Sequence, residues 1–404
     1  MSPSVLKHAK MTSLIRAFSD RIIPGNKPDA DATKQRPDGF YTAKGIDALF
    51  PRTKAEVDGD ECLHDCASCS IHYPKKFSID EDDKLYGHIN GWSRHVIVAT
   101  GKTDWVKSVE DEKESVMEAV GKYRDDVTGG ELMLSASNMP VPEDHHSDGP
   151  YGKDRATRVL LLPYFQFIEG VTPNLVPEVI KSIINTAPTN LQPLSTSSSQ
   201  KPTTTNGTST PASNAEPPSL SGLRLTPDQL PDGVSLRSCP HKYLILVCSQ
   251  ATRDARCGQS APLLRRELER HLRPLGLYRD LNDDRPGGVG IYFISHVGGH
   301  KYSANMMVYR RAETHRTVQE QMDTAPSVDG NGLERAISGG GAGDGGMVGG
   351  KVEEGQAAQC IWLARVRPED CENIVRFTVL QGKVVKPERQ LRGGFDREKG
   401  VVSW

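Results

Sequence analysis

No excess of either charge sign is present: 50 Lys and Arg face 52 Asp and Glu, a formal net of −2 over 404 residues. A general nucleic-acid binder normally carries a basic surplus, so that class is disfavoured. No run of about 18 apolar residues occurs, which excludes a membrane-spanning helix. Residues 1–23 contain no apolar stretch followed by a small-residue cleavage site, so a secretory signal is not expected. Aromatic residues are scarce at 6%, and apolar residues reach only 36%. Part of the chain therefore contributes nothing to a core. Eight cysteines are too few for a disulfide scaffold at this length. In a reducing compartment, clustered thiols bind metal or carry redox chemistry.

What remains reads as an α/β protein in two blocks joined by a disordered linker. Residues 1–60 are polar and expected to be disordered. Lys7, Lys10, Arg16 and Arg21 within 1–23 would also suit a mitochondrial transit segment. The first block covers 61–186. It contains the β-branched run His95–Ala99, a helix over Trp105–Tyr123, and strands over Glu131–Met139 and Arg158–Phe167. A Ser/Thr/Pro-rich linker, 187–234, is too polar to offset its conformational entropy. The second block, 235–385, opens on the strand Lys242–Val247, apolar enough to be covered on both faces. A helix over Ala261–Leu272 follows, then strands Val289–Ser295 and Ser303–Arg310, which look like an antiparallel pair around a Gly turn. A Gly-rich insert spans 325–357, a strand Cys360–Val366 comes next, and a helix Pro368–Leu380 closes the block. Residues 386–404 read as a polar tail. Strand, helix, strand, strand recurs in both blocks, which suggests remote repeats of one fold; each is expected to be a mixed sheet with flanking helices.

The strongest constellation of chemistry-bearing residues lies in the second block. Cys248 ends its first strand and Cys257 follows eight residues later, after Arg253 and Arg256. His296 and His300 flank Gly298-Gly299 at the end of the next strand. Thiolate and imidazole are ligands for iron and zinc. Arginines near the sulfurs would lower the thiol pKa and offset bound negative charge, or dock an acidic redox partner. Three readings compete: buried thiols with structural histidines, a zinc site of unusual spacing, and a 2Fe–2S cluster in which imidazoles replace two thiolates.

The strings LVCSQATRDARCG, ISHVGGHKYSANMMVY, IWLARVRPEDCENIV and LRGGF resemble the fungal sucrase/ferredoxin-like family. So do DCASCSIHYPKKFSIDEDDKLYG and RHVIVATGKTDW in the first block, and the likeness spans about residues 60–185 and 235–400. The resemblance implies thioredoxin-like blocks and an electron-transfer role. It also implies a 2Fe–2S cluster on Cys248, Cys257, His296 and His300. Its redox partner protein is not named by the sequence.

A second set of thiols, Cys62, Cys66 and Cys69, forms a possible further site near His64 and His72, either a metal site or a redox pair. Cys66-Ala67-Ser68-Cys69 precedes its block's first strand, whereas a thioredoxin-type pair opens a helix after one. The three remaining cysteines, Cys239, Cys360 and Cys371, read as structural. Gly345–Lys351 imitates a phosphate loop, but Val352 stands where Ser or Thr is needed. Trp404, the last residue, resembles the terminal signal by which cytosolic iron–sulfur clients meet their assembly machinery. The expected compartment is the cytoplasm, with the mitochondrion as the alternative.

Overall fold

The computed structural model describes residues 33–142, 154–194, 229–312 and 355–404. Residues 1–23, most of the linker, most of the Gly-rich insert and Gly345–Lys351 lie outside them. The apolar runs form strands and the periodic segments form helices. In chain order these are β1 (Thr33–Gln35), β2 (Tyr41–Ala43), β3 (Arg94–Ala99), α1 (Val116–Lys122), β4 (Leu132–Ser137), β5 (Thr157–Leu162) and β6 (Gln166–Val171). A helical segment over 173–184 follows. Then come β7 (Ser235–Ser238), β8 (Tyr243–Cys248), α2 (Ala255–Leu272), β9 (Tyr278–Arg279), β10 (Val289–Ile294), β11 (Met306–Arg311) and β12 (Ala357–Leu363). A second helical segment over 368–379 leads to β13 (Leu391–Asp396) and β14 (Val401–Val402).

The strands form one mixed sheet in the order β1-β2-β14-β13-β12-β11-β8-β10-β4-β3-β5-β6-β7, with β9 beside β10. This path repeats itself. In the N-terminal half, β4 is parallel to β3, β5 is antiparallel to β3, and β6 is antiparallel to β5. In the C-terminal half, β10, β8, β11 and β12 stand in the same relations. The halves join where β4 meets β10, at the single register pair Ile294↔Ser137. Both strands end there, so the C-terminal ends of the two strand sets face each other.

Side-chain alternation divides the core into three layers. Tyr243, Ile245 and Val247 of β8 pack under α2, whose buried face includes Ala261, Leu264, Leu268 and Leu272. Val96 and Val98 of β3 pack under α1 and residues Val176–Ile184. Leu244 and Leu246 point the other way, into a core shared with Ile97, Leu160, Tyr309, Trp362 and Phe395. The two half-sheets therefore lie face to face, with helices outside. Asp254 caps α2 by accepting from the Arg256 N–H at 2.9 Å.

Several expectations change. The helix over Trp105–Tyr123 contracts to α1 and a short turn at Val109–Asp111, because the residues before it serve as a docking loop described below. Arg158–Phe167 is not one strand: the chain turns at Pro163–Phe165 and returns as β6. Although opposite in direction, β10 and β11 are not partners; the doubly covered β8 lies between them. Residues 33–60 are not wholly irregular, since β1 and β2 extend the sheet and β2 pairs in parallel with β14. The polar tail, too, is folded, as it supplies β13 and β14. The Trp404 ring lies 4.6 Å from that of Trp92, and its carbonyl accepts from Arg36 and Thr42, each at 2.8 Å.

Two buried imidazoles make the fold acid-sensitive. His95 bonds Tyr309 at 3.1 Å across the shared core and Ser135 at 2.9 Å, and burial pushes it down to about 3. Burial likewise pushes His241, which bonds Tyr292 at 3.0 Å, down to about 4. Above about pH 6.5 both states hold these rings neutral and the stabilisation is complete. As pH falls from there toward about 4, the unfolded chain takes up protons that the folded chain refuses. The melting temperature is expected to drop steadily between about pH 6.5 and about pH 4.5. A flat profile across that interval would contradict this assignment.

Candidate functional site

Cys248 ends β8 at full burial, because the strand is covered on both faces up to its last residue. Cys257 is the third residue of α2, fully buried, where the helix dipole favours a thiolate. The two thiols hydrogen-bond to each other. That bond raises the Cys248 pKa and lowers that of Cys257, which also accepts bonds from His296 and Ser303. Cys257 Sγ lies 3.5 Å from Ser303 Oγ. Backbone N–H groups of Gln250 and Val297 point at the Cys248 sulfur.

His296 follows β10 and places Nδ1 3.9 Å from Cys248 Sγ. The His296 and His300 ring centroids are 5.3 Å apart. Both rings reach the surface, His300 more fully, while the sulfurs stay inside. The structure thus brings Cys248, Cys257 and His296 into contact and sets the His300 ring beside His296, while the ligand atoms of no three of them lie within 4.8 Å of one another.

The supporting shell was not singled out from the sequence. Gln250, fully covered, accepts from the His296 N–H at 2.8 Å and donates to the Trp105 and Val106 carbonyls at 3.3 and 2.5 Å. Ser249 donates to the Thr103 carbonyl at 2.6 Å, and the Asp104 carboxylate accepts from Thr252 N and Oγ1. The GKTDW string of the N-terminal half therefore clamps the loop that carries both sulfurs. Gly258 lets α2 approach that loop, since a Cβ there would sit 2.6 Å from Ala251 Cβ. Arg392 donates to the Gly298 carbonyl and to Asn305 Oδ1, each at 2.9 Å, and Asn305 donates to Gly299 at 2.9 Å. Gly299 adopts φ 68°, with the Arg392 guanidinium where a Cβ would stand. Arg392 is buried against Trp362 with no carboxylate among the described residues bonded to it, and burial pushes it down to about 10. Of the two arginines expected to serve the sulfurs, Arg256 is neutralised by Asp254 at 2.8 Å, whereas Arg253 is exposed and donates to the Lys107 carbonyl.

The second set of thiols does not assemble as a trio. Cys66 instead meets His271 and Glu372, and their ligand atoms lie within 4.8 Å of one another. Cys69 bonds the Ile71 carbonyl, and burial pushes its thiol up to about 11, the wrong direction for a nucleophilic pair. Cys66 and Cys69 sit in a loop without a helix to open. Cys62 is fully buried in the turn Asp60–Leu63. No helix among the described residues is long and apolar enough to cross a membrane.

Comparison with known proteins places this geometry in context. The model of the sucrase/ferredoxin-like family matches residues 85–393. Actin patches distal protein 1 of Saccharomyces cerevisiae is 41% identical over 97 residues, covering 22% of this chain and 31% of that protein. Altered inheritance of mitochondria protein 32 of Clavispora lusitaniae is 29% identical over 146 residues, 36% of this chain and 33% of that protein. The matches thus span about a third of these relatives' length. No solved structure matches the chain. Because the family model covers both halves and the loops that form the site, the chain belongs to the sucrase/ferredoxin-like family.

Proposed function

We propose that the chain is an electron carrier whose C-terminal half holds a 2Fe–2S cluster on Cys248, Cys257, His296 and His300. The observation that carries this reading is the meeting of two buried thiols in mutual contact with two partly exposed imidazoles at adjoining strand ends. The donor set suits iron: two soft sulfurs inside and two borderline nitrogens outside. When bound, the cluster takes up and releases one electron at a time. The chain's own residues prepare for it. The α2 N-terminus and the N–H groups of Gln250 and Val297 favour anionic sulfur. Arg392, a buried cation with no acid bonded to it among the described residues, offsets negative charge beneath the histidine loop. The repeated strand order, with one parallel and two antiparallel neighbours, is that expected of two thioredoxin-like blocks.

Exposure of His300 supports a reading in which a redox partner protein docks on the imidazole side. The cytoplasm is the proposed compartment; the relatives' name, with its reference to mitochondria, keeps the alternative. The test is visible absorption and electron paramagnetic resonance of anaerobically purified protein, with iron and sulfide counted. Equal iron and sulfide with a rhombic signal on reduction is expected. A colourless protein lacking both would refute the proposal.

A further inference from the structure

Away from the proposed cluster, three distant segments bring ligand-type groups together. Cys66 comes from the N-terminal loop, His271 from the last turn of α2, and Glu372 from the helical segment over 368–379. The Cys66 N–H donates to the Glu369 carbonyl at 3.0 Å, which pins the loop against that segment. Cys66 Sγ lies 3.9 Å from His271 Nε2. Sulfur and nitrogen bound to one tetrahedral zinc stand about 3.5 Å apart, given Zn–S of about 2.3 Å and Zn–N of about 2.0 Å.

The hydrogen bonds at this spot do not close. Arg270 Nη2 faces Cys66 Sγ at 3.3 Å, Glu267 Oε1 at 2.5 Å and His271 Nε2 at 3.0 Å. With two hydrogens for three acceptors, at least one of these bonds must be shared and weak. His271 Nε2 also lies 3.2 Å from Glu267 Oε1. If Nε2 is protonated, two donors confront each other at Arg270; if it is bare, two lone pairs confront each other at Glu267. A compact cation among these groups removes the conflict, and the Arg270 side chain, 40% exposed and also donating to Ser68 Oγ at 3.2 Å, borders solvent on the side away from them.

We propose that Cys66, His271 and Glu372 form a binding site for a divalent transition metal of borderline softness, zinc foremost, with water in the fourth position. The ion staples the N-terminal loop to α2 and to the helical segment over 368–379. Arg270 holds its place when the ion is absent. Cys62 and Cys69 are not ligands.

The test uses the full chain, loaded with zinc or cobalt(II), desalted and assayed for metal. Cys66→Ser and His271→Ala are expected to bind zinc at least about 100-fold more weakly than the parent protein. All proteins compared, the parent included, also carry Cys248→Ser and Cys257→Ser, so the other thiol pair takes up neither zinc nor cobalt and the loss reports on this site alone. Cobalt should give a near-ultraviolet thiolate charge-transfer band that disappears in Cys66→Ser. Arg270→Ala is expected to retain zinc at least as tightly as the parent. Failure of the parent to retain zinc, equal retention by Cys66→Ser and His271→Ala, or persistence of the cobalt band in Cys66→Ser would each overturn the proposal. Loss of zinc from Arg270→Ala together with the others would do the same, showing a hydrogen-bond network centred on the arginine.

Discussion

Cys248→Ser or Cys257→Ser is expected to abolish the visible chromophore and to weaken iron retention by at least about 100-fold. Both sulfurs are fully buried against each other, so water cannot readily take the place of either. The imidazole side should respond differently. His296→Cys or His300→Cys is expected to keep a cluster, because sulfur is also a good ligand for iron. Its reduction potential should fall by on the order of 200 mV, since thiolate adds negative charge where neutral nitrogen stood. The check is iron content and redox titration on the same preparations. Equal iron in Cys248→Ser and the parent would remove the ligand assignment. An unchanged potential in both histidine variants would place the imidazoles outside the coordination sphere.

The second large effect is expected at Arg392. Leucine there strands the Gly298 carbonyl and Asn305 Oδ1 without their donor and removes a guanidinium 4.5 Å from the Trp362 ring. Unpaired buried acceptors cost about 1–3 kcal/mol each, so Arg392→Leu should lose about 3 kcal/mol of stability. The histidine loop loses its anchor at the same time, and iron should be retained less well. Where a cluster survives, its potential should fall by on the order of tens of mV, because the lost cation favoured the reduced state. Arg392→Lys restores charge without the fork and should recover the potential better than the melting temperature. If Arg392→Leu melts and titrates like the parent, the residue has no role in the site.

The elements of this fold differ in how plainly the sequence announces them. Continuous apolar runs marked β3, β8 and β10 because both faces of each are covered. The leucine periodicity of 263–272 marked α2, although its start at Ala255 depends on the Asp254 cap. Strand β13 was illegible. Arg392-Gly393-Gly394 looks like a turn, yet only glycine lets that backbone approach β12: a Cβ on Gly394 would fall 1.9 Å from the Cys360 carbonyl oxygen. The spacing of Cys248, Cys257, His296 and His300 was visible along the chain. The clamp from Thr103–Val106 was not, because it depends on where β4 meets β10. The partners of Cys66 lay about 200 and 300 residues away, beyond any local motif.

The meeting of β4 and β10 makes the chain an internal dimer, its two matched halves covalently tied. A free pair of such subunits would separate on dilution and leave the sulfur-bearing loop bare. Here the shielding half is always present at a high effective concentration, so protection of the buried thiols does not depend on how abundant the protein is.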